Sequence, residues 1–434
     1  MRRLVACLVG GIVCVGCPPE PQPPPPPPPP PPQPTVPEDE AERVEAAVQP
    51  LLDGKWVSGI VVGVADAAGP RTYPFGGLDG GSVVELGAST EIFTGLLLAD
   101  AVASGAVAPD DPVKNYLPEE VVFPESITLR HLATHTSGLP RNPDNLAPAD
   151  LADPYADYTF EKLFEFLSGF QPPEDLGTTF AVSNVGVALL ARALTDDFEA
   201  MLGARILGPL GMQHSAVNGA GVVEGHDGDL VPVHAWNFDA LAGAAGLRST
   251  ADDLVVFLGA SLGFIPTPIG PVLQASQQHL TDKVAVGWQL MEDGTTLWHN
   301  GQTGGCRSFL ALDPQHGLGV VVLADTSAAV IDDVGLVLLG KLDAPRLRPT
   351  LALTTYFLDL YVGRYRLERG VVLEIRRDDD HLVLLSPGEP PARLYAETDL
   401  EFYMRVSDLR ITFADDHLVL HRPDGDVTAR RLGH

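Results

Sequence analysis

Residues 85–95 read Glu-Leu-Gly-Ala-Ser-Thr-Glu-Ile-Phe-Thr-Gly and begin the stretch of sequence that decides the fold. Apolar residues follow at helical spacing, at Phe93, Leu96, Leu97 and Ala101. Gly105 ends the pattern, as glycine commonly does after a helix. The segment is predicted to be a helix that starts just after Gly87, and Ala88 and Glu91, three residues apart, would share one face of its first turn.

Four further motifs follow along the chain: ITLRHLATHTSGLP at 127–140, AVSNVG at 181–186, AGAAGLRSTADDL at 242–254 and WHNGQTGG at 298–305. Together with residues 85–95 they resemble the motif set of the serine β-lactamase and penicillin-binding protein family, over roughly residues 40–345. In that family the nucleophile helix starts with Ser-x-x-Lys, followed by a Phe-Thr pair. The Ser-Thr pair before the acidic residues of 242–254 is also a helix N-cap signal.

The resemblance implies a fold and a division of the chain. It implies an α/β (α+β) fold with a mixed antiparallel sheet and an all-helical lobe, here at residues 38–345. Short β-like runs separated by turn clusters then predict a small antiparallel β-barrel or sandwich at 350–434. Some members of the family append such a barrel.

Three positions depart from the family's catalytic pattern. The fit places Ala88 on the nucleophilic serine, Glu91 on the lysine base and Val182 on the tyrosine that passes protons. Ser89 does not replace the missing hydroxyl, because it is rotated by about 100° around the helix axis from Ala88. The nearest other Ser/Thr-x-x-Lys pattern, at 159–162, lacks the flanking residues of the motif. The catalytic positions are therefore predicted to be unfilled.

The expected cleft residues are Asn184, His299, Gly301 and Ser89. The Asn184 amide is suited to binding a ligand amide, although a role in forming a turn fits equally well. His299 is expected to line the cleft, with a purely structural histidine as the alternative. Gly301 would let a substrate backbone approach the strand closely.

The remaining candidate side chains are expected to be structural. His131 and His135 have the i, i+4 spacing of a helical zinc pair but lack the glutamate of His-Glu-x-x-His, so we expect hydrogen bonds to loop backbone. Cys306 is expected to be a small buried residue rather than a reactive thiol. No metal and no cofactor are predicted.

The first 37 residues predict export. Residues 1–17 have a charged start and a short apolar run, and they resemble a bacterial lipoprotein signal that ends before Cys17, the expected lipidation site; an ordinary signal peptide or an anchor helix is the alternative. Residues 18–37 are mostly proline, which predicts a polyproline II spacer on the order of 60 Å long rather than a ligand for SH3-like modules. The expected location is the bacterial cell envelope, outside the cytoplasm.

Composition limits the partners. The 434 residues carry 57 acidic against 28 basic side chains, a formal charge of −29, which argues against nucleic acid or an anionic lipid surface. Contact with a membrane is therefore expected through the lipid anchor only. The leading hypothesis is a pseudoenzyme that binds peptides or peptidoglycan fragments, and the alternative is a hydrolase of altered mechanism that uses Glu91 as base and His299 as acid.

Overall fold

The computed structural model describes residues 39–368, 370–387, 390–422 and 425–433. The predicted signal at 1–17, the lipidation site Cys17 and the spacer at 18–37 lie outside the described residues. The strands, in chain order, are β1 Ile60–Asp66, β2 Gly69–Phe75, β3 Val84–Glu85, β4 Ala216–Val217, β5 Gly225–His226, β6 Pro232–Val233, β7 Leu247–Ser249, β8 Gln289–Leu290, β9 Leu297–Gln302, β10 Arg307–Asp313, β11 Leu318–Ala324, β12 Gly363–Leu367, β13 Val372–Asp378, β14 His381–Leu385, β15 Ala392–Ala396, β16 Glu401–Tyr403, β17 Arg410–Phe413, β18 His417–His421 and β19 Val427–Arg431.

The helices are α1 Glu40–Asp53, α2 Thr90–Ala103, α3 Leu129–Ala133, α4 Phe160–Gly169, α5 Asn184–Leu194, α6 Phe198–Leu202, α7 Gly208–Leu210, α8 Ala242–Ala245, α9 Ala251–Ser261, α10 Gly270–Ser276, α11 Ile331–Leu338 and α12 Thr355–Asp359. Short 3-10 turns lie at Gly87–Ser89 and Val113–Tyr116, and a π-helical turn lies at Gly203–Leu207. Within the described ranges, no helix is long and apolar enough to cross a membrane.

A six-stranded antiparallel sheet, in the order β2-β1-β11-β10-β9-β8, separates two hydrophobic cores. Side chains alternate between its faces, so that Val61 and Ala65 of β1 belong to one core while Ile60, Val62 and Val64 belong to the other. The first core joins the sheet to the helical lobe, including α2, α5 and α9. The second joins it to α1 and α11. Burial on both faces explains why β1, β10 and β11 read as nearly continuous apolar runs.

The C-terminal residues form a closed barrel of eight antiparallel strands, β12 to β19. Closure is made by β12 and β19, whose register pairs Tyr365 with Arg431. Alternate residues of each strand fill the interior, which removes exposed strand edges. The predicted mixed sheet with a helical lobe and an appended barrel is thereby confirmed.

Arg405, just after β16, holds the barrel against the larger part of the molecule. Its guanidinium group lies 4.4 Å from the ring centroid of Trp56 and 4.5 Å from that of Tyr395. The Tyr395 hydroxyl donates a hydrogen bond to Asp229 Oδ1 at 2.5 Å. The backbone N–H of Ala329 donates to the Arg405 carbonyl at 2.7 Å. These contacts fix one face of the barrel against the second hydrophobic core, the one that joins the sheet to α1 and α11.

Candidate active site

The start of α2 is held against β9 by two glycines. Gly87 has a positive φ of 51°, and a Cβ atom there would lie 2.6 Å from the backbone nitrogen of Gln302. A Cβ atom on Gly301 would lie 1.8 Å from the carbonyl oxygen of Leu86 and 2.8 Å from the nitrogen of Ala88. Only glycine tolerates these contacts, so the strand edge and the helix start meet backbone to backbone. Ala88 sits at this junction and is partly exposed.

Glu91, in the first turn of α2, lies between two histidines. Its Oε2 atom is 3.2 Å from His135 Nε2 and 3.4 Å from His299 Nε2. The side chains of all three residues are nearly inaccessible, at 3%, 7% and 4% exposure for Glu91, His135 and His299. The other oxygen, Oε1, is buried and has no hydrogen-bond partner among the described residues. Glu91, at the position of the family's lysine base, therefore forms a buried cluster with His135 of the motif at 127–140 and His299 of the motif at 298–305.

The hydrogen bonds made by the Nδ1 atoms of His135 and His299 determine which ring nitrogens carry a proton. Nδ1 of His135 accepts a hydrogen bond from the backbone N–H of Ser183 at 3.3 Å, so its proton is on Nε2 and points at Glu91. Nδ1 of His299 lies 2.8 Å from the Asn300 carbonyl oxygen, which can only accept, so Nδ1 carries a proton. The His299 Nε2 atom then faces the carboxyl group with a lone pair unless a second proton lies between them.

The electrostatics favour the ionised form of Glu91. Burial opposes its ionisation, but the hydrogen bonding and electrostatic influence of His135, and then of His299, outweigh burial and lower the pKa of the Glu91 carboxyl to about 2. Glu91 is therefore a buried carboxylate held between two imidazole rings.

The hydroxyl groups near Ala88 are already committed to structural hydrogen bonds. Ser89 is fully buried, and its hydroxyl lies 2.8 Å from that of Ser308, which donates to the Leu86 carbonyl oxygen. The Thr90 hydroxyl donates to the Gly87 carbonyl oxygen. The expectation that Ser89 lines the cleft is corrected by this placement, because its side chain packs between α2 and β10 with no accessible surface.

Residues 181–184 contact His135 on the side of its Nδ1 atom, away from Glu91. Val182, half-buried, stands between Ala181 and Ser183, whose backbone N–H groups donate to the carbonyl oxygen and to Nδ1 of His135. Ser183 caps α5, with its hydroxyl accepting from Gly186 N–H. Asn184 donates from Nδ2 to Asn142 Oδ1 at 3.1 Å, while its Oδ1 atom has no donor among the described residues. Asn184 thus makes a structural hydrogen bond through Nδ2, and its Oδ1 atom can still accept a hydrogen bond from a ligand.

Of the residues predicted from the sequence, the structure brings Ala88, Glu91, His299 and Gly301 together at one point. His135, which we expected to bond only loop backbone, joins them through its Nε2 atom. The sequence carried one signal for this: a carboxylate at a buried lysine position needs a cationic or hydrogen-bonding partner. His131 behaves as expected, accepting from Thr128 N–H in a capping box.

The edge of β9 beside Ala88 is open. On one side β9 pairs with β10 from Leu297 to Gln302. On the other side β8 pairs only with Leu297 and Trp298. In the described part of the chain, residues 299–302 therefore have no strand partner on that side. An extended peptide can add to such an edge through main-chain hydrogen bonds.

The described residues include no group of three or more metal-ligating side chains placed to bind an ion. The Glu91 cluster fits this result, because the His135 Nε2 atom carries a proton and cannot ligate. Cys306 is fully buried, and burial raises the pKa of its thiol far above the usual range, so it is not a thiolate nucleophile.

Residues 38–335 match the family model described as Beta-lactamase. The chain is 25% identical over 352 residues to a β-lactamase of Escherichia coli (strain K12), covering 67% of this chain and 89% of that protein. It is 24% identical over 340 residues to the D-alanyl-D-alanine-carboxypeptidase/endopeptidase AmpH of the same organism, covering 68% and 86%. A solved class C β-lactamase superposes with a TM-score of 0.61 at 21% identity, over 70% of this chain and 97% of that one. The family match ends before the barrel.

Proposed function

Since this chain belongs to the β-lactamase family, we propose that it is a member without serine chemistry that binds peptides or cell-wall fragments beside the old nucleophile position. The observation that carries the proposal is the pairing of Ala88 with Glu91. No hydroxyl stands at position 88, and the group at position 91 is an acid that contacts two histidines rather than an amine. Nucleophile and base act as one unit, so the loss of both removes the acyl-enzyme route.

The open edge of β9 supports a peptide as the ligand. It leaves main-chain donors and acceptors without a strand partner over residues 299–302, and the Oδ1 atom of Asn184 is a further acceptor without a donor among the described residues. The AmpH relative is named for action on D-alanyl-D-alanine, which makes peptides with that terminus the first ligands to test.

The remaining parts of the proposal concern location. The signal-like residues 1–17, Cys17 and the proline-rich residues 18–37 support a lipid-anchored protein of the bacterial cell envelope. Fractionation of cells that express the full chain and Cys17→Ser tests this. We expect the natural chain in the membrane fraction and the variant released. Equal partitioning of the two would contradict lipidation at Cys17.

Restoration of the motif tests the loss of chemistry. We expect a fluorescent penicillin to leave the natural chain unlabelled and to label the triple variant Ala88→Ser, Glu91→Lys, Val182→Tyr covalently, because hydroxyl, amine and phenol would then occupy the family positions. The double variant Glu91→Lys, Val182→Tyr is the matched control, since it has base and phenol but no nucleophile. Covalent labelling of the natural chain would contradict the proposal.

Peptide binding has its own test. Calorimetric titration of the natural chain with a peptide that ends in D-alanyl-D-alanine should give saturable binding, weakened about tenfold in Asn184→Leu by the loss of one ligand hydrogen bond. The same peptide ending in L-alanyl-L-alanine is the ligand control. Absence of saturable binding by the natural chain would remove this ligand class.

A second candidate function rests on the distance of 3.4 Å between Glu91 and His299. A carboxylate and an imidazole at this distance can serve as base and acid for attack by water. Hydrolysis of a chromogenic ester by the natural chain, lost in both Glu91→Gln and His299→Gln, would favour this candidate. The near-complete burial of the pair opposes it, because water must reach the carboxylate.

A further inference from the structure

The barrel and the outer face of the sheet enclose a cavity of about 670 Å³. One wall comes from the end of β8 and from β9, a second from α11, and a third from residues 403–410, which join β16 to β17. The volume lies within the range of pockets that bind small molecules. The cavity exists because α11 packs on β10 and β11, which leaves the outer surface of β9 to be covered by the barrel.

The walls of this cavity are apolar and adaptable. The partly exposed apolar side chains that face it are Leu290, Met291, Trp298, Leu336, Met404 and Leu409. The indole ring of Trp298 packs on Phe309, with ring centroids 6.0 Å apart, and this contact holds it as a rigid wall. Two of the chain's five methionines are here, and their flexible thioethers fit ligands of irregular shape.

The charged side chains around the cavity largely neutralise one another. Its lining contains five acidic and five basic residues, although the whole chain carries a net charge of −29. Lys341 pairs with Asp293 at 2.6 Å, and Arg346 pairs with Asp333 at 2.5 Å. Asp332 is held by the buried Arg307 behind the wall. A charged ligand would have to compete with these pairs, so the lining favours an uncharged one.

Two polar groups on the same face of β9 remain available to a ligand. Within the described residues, no acceptor meets the indole N–H of Trp298 and no donor meets the Oδ1 atom of Asn300, whose Nδ2 atom donates to Asp332. The two residues are two apart on one strand, so their side chains project from the same face. Together they present one donor and one acceptor, the complement of a hydroxyl or amide group.

We propose that this cavity binds an uncharged amphipathic small molecule, with its apolar body against Trp298, Leu336 and Leu409 and a hydroxyl or amide group between Trp298 and Asn300. The proposal gives the barrel a function, because residues 403–410 complete the site. It is separate from peptide binding: His299 projects from the opposite face of β9, into the Glu91 cluster.

The test uses the full chain and the apolar dye 1-N-phenylnaphthylamine as the probe. We expect saturable enhancement of dye fluorescence together with quenching of tryptophan emission. Leu336→Arg and Leu409→Arg each place a charge in the cavity and should weaken binding at least tenfold. Leu360→Arg is the matched control, since Leu360 is an exposed apolar residue just after α12 and outside the cavity; this variant should bind like the natural chain.

A second variant locates the probe without depending on a loss of binding. Trp298→Phe keeps an aromatic wall and should retain dye enhancement while losing the part of the quenching that comes from Trp298; the quenching that remains is expected from Trp56, which also lines the cavity. Quenching in Trp298→Phe equal to that of the natural chain would place the dye away from Trp298 and overturn the proposal. So would equal binding by Leu336→Arg, Leu409→Arg and Leu360→Arg, with circular dichroism verifying that each variant is folded.

Discussion

The two faces of β9 differ in chemistry although they belong to one six-residue strand. The inner face carries His299, buried against Glu91 and His135 in a cluster of groups that largely satisfy one another. The outer face carries Trp298 and Asn300, partly exposed in an apolar cavity with polar groups left free. The comparison teaches that one strand can carry a closed, buried polar cluster on one face, while open space for a ligand lies on the other.

Breaking the inner cluster should give the largest effect. His299→Leu removes one of the two imidazoles that contact the buried Glu91 carboxylate, so we expect a loss of about 3–5 kcal/mol in the free energy of unfolding. Trp298→Leu, one residue earlier and on the outer face, is the matched control and should cost only about 1 kcal/mol. Urea denaturation measures both. Equal losses would show that the two faces do not differ in this way.

The second largest effect is expected from lowering the pH, which should destabilise the cluster on the inner face of β9. The pKa of the Glu91 carboxyl is lowered to about 2, so the stability it contributes is present above its unfolded value of about 4.5 and is lost as the pH falls toward 2. The linked loss is about 3 kcal/mol in the natural chain. Glu91→Gln has no such group and should show a flatter profile over the same range. Parallel denaturation profiles of the two proteins from pH 7 to pH 2 would contradict the lowered pKa of the Glu91 carboxyl.

The smallest effect is expected from a substitution in residues 403–410, which form one wall of the cavity. Arg405→Ala removes two cation–π contacts and the hydrogen bonds from Nη1 to the Lys55 and Gly228 carbonyl oxygens, so we expect a loss of about 2 kcal/mol in unfolding free energy. Dye binding should weaken as well, because residues 403–410 would shift. Arg410→Ala, also on the cavity lining, is the control and should leave stability within about 0.5 kcal/mol. An unchanged melting temperature in Arg405→Ala would show that the barrel is held by other contacts.

The fold could be predicted from the sequence because its signals are local. Helical spacing after Gly87 gave α2, the Ser-Thr pair before acidic residues gave the cap of α9 at Thr250, and turn clusters after residue 349 gave the barrel. The departures at Ala88, Glu91 and Val182 were also visible, since each lies within a motif. These features depend on short stretches of chain.

The rest depends on tertiary placement. His135 reaches Glu91 from a positive φ of 54°, a conformation that no local pattern predicts for a histidine. Burial of Ser89 follows from the approach of Ser308, more than two hundred residues later. The cavity exists only once the barrel has docked on the sheet. Sequence patterns carry no record of such long-range contacts.

The contact of Gly301 with the start of α2 bears on how glycines within a catalytic motif are interpreted. Because a side chain at position 301 would collide with the Leu86 carbonyl oxygen, folding alone requires this glycine, whatever chemistry the site performs. Gly87 is constrained in the same way by Gln302. A match to the motif at either glycine is therefore evidence for the fold and not for activity, which depends on the side chains at positions 88, 91 and 182.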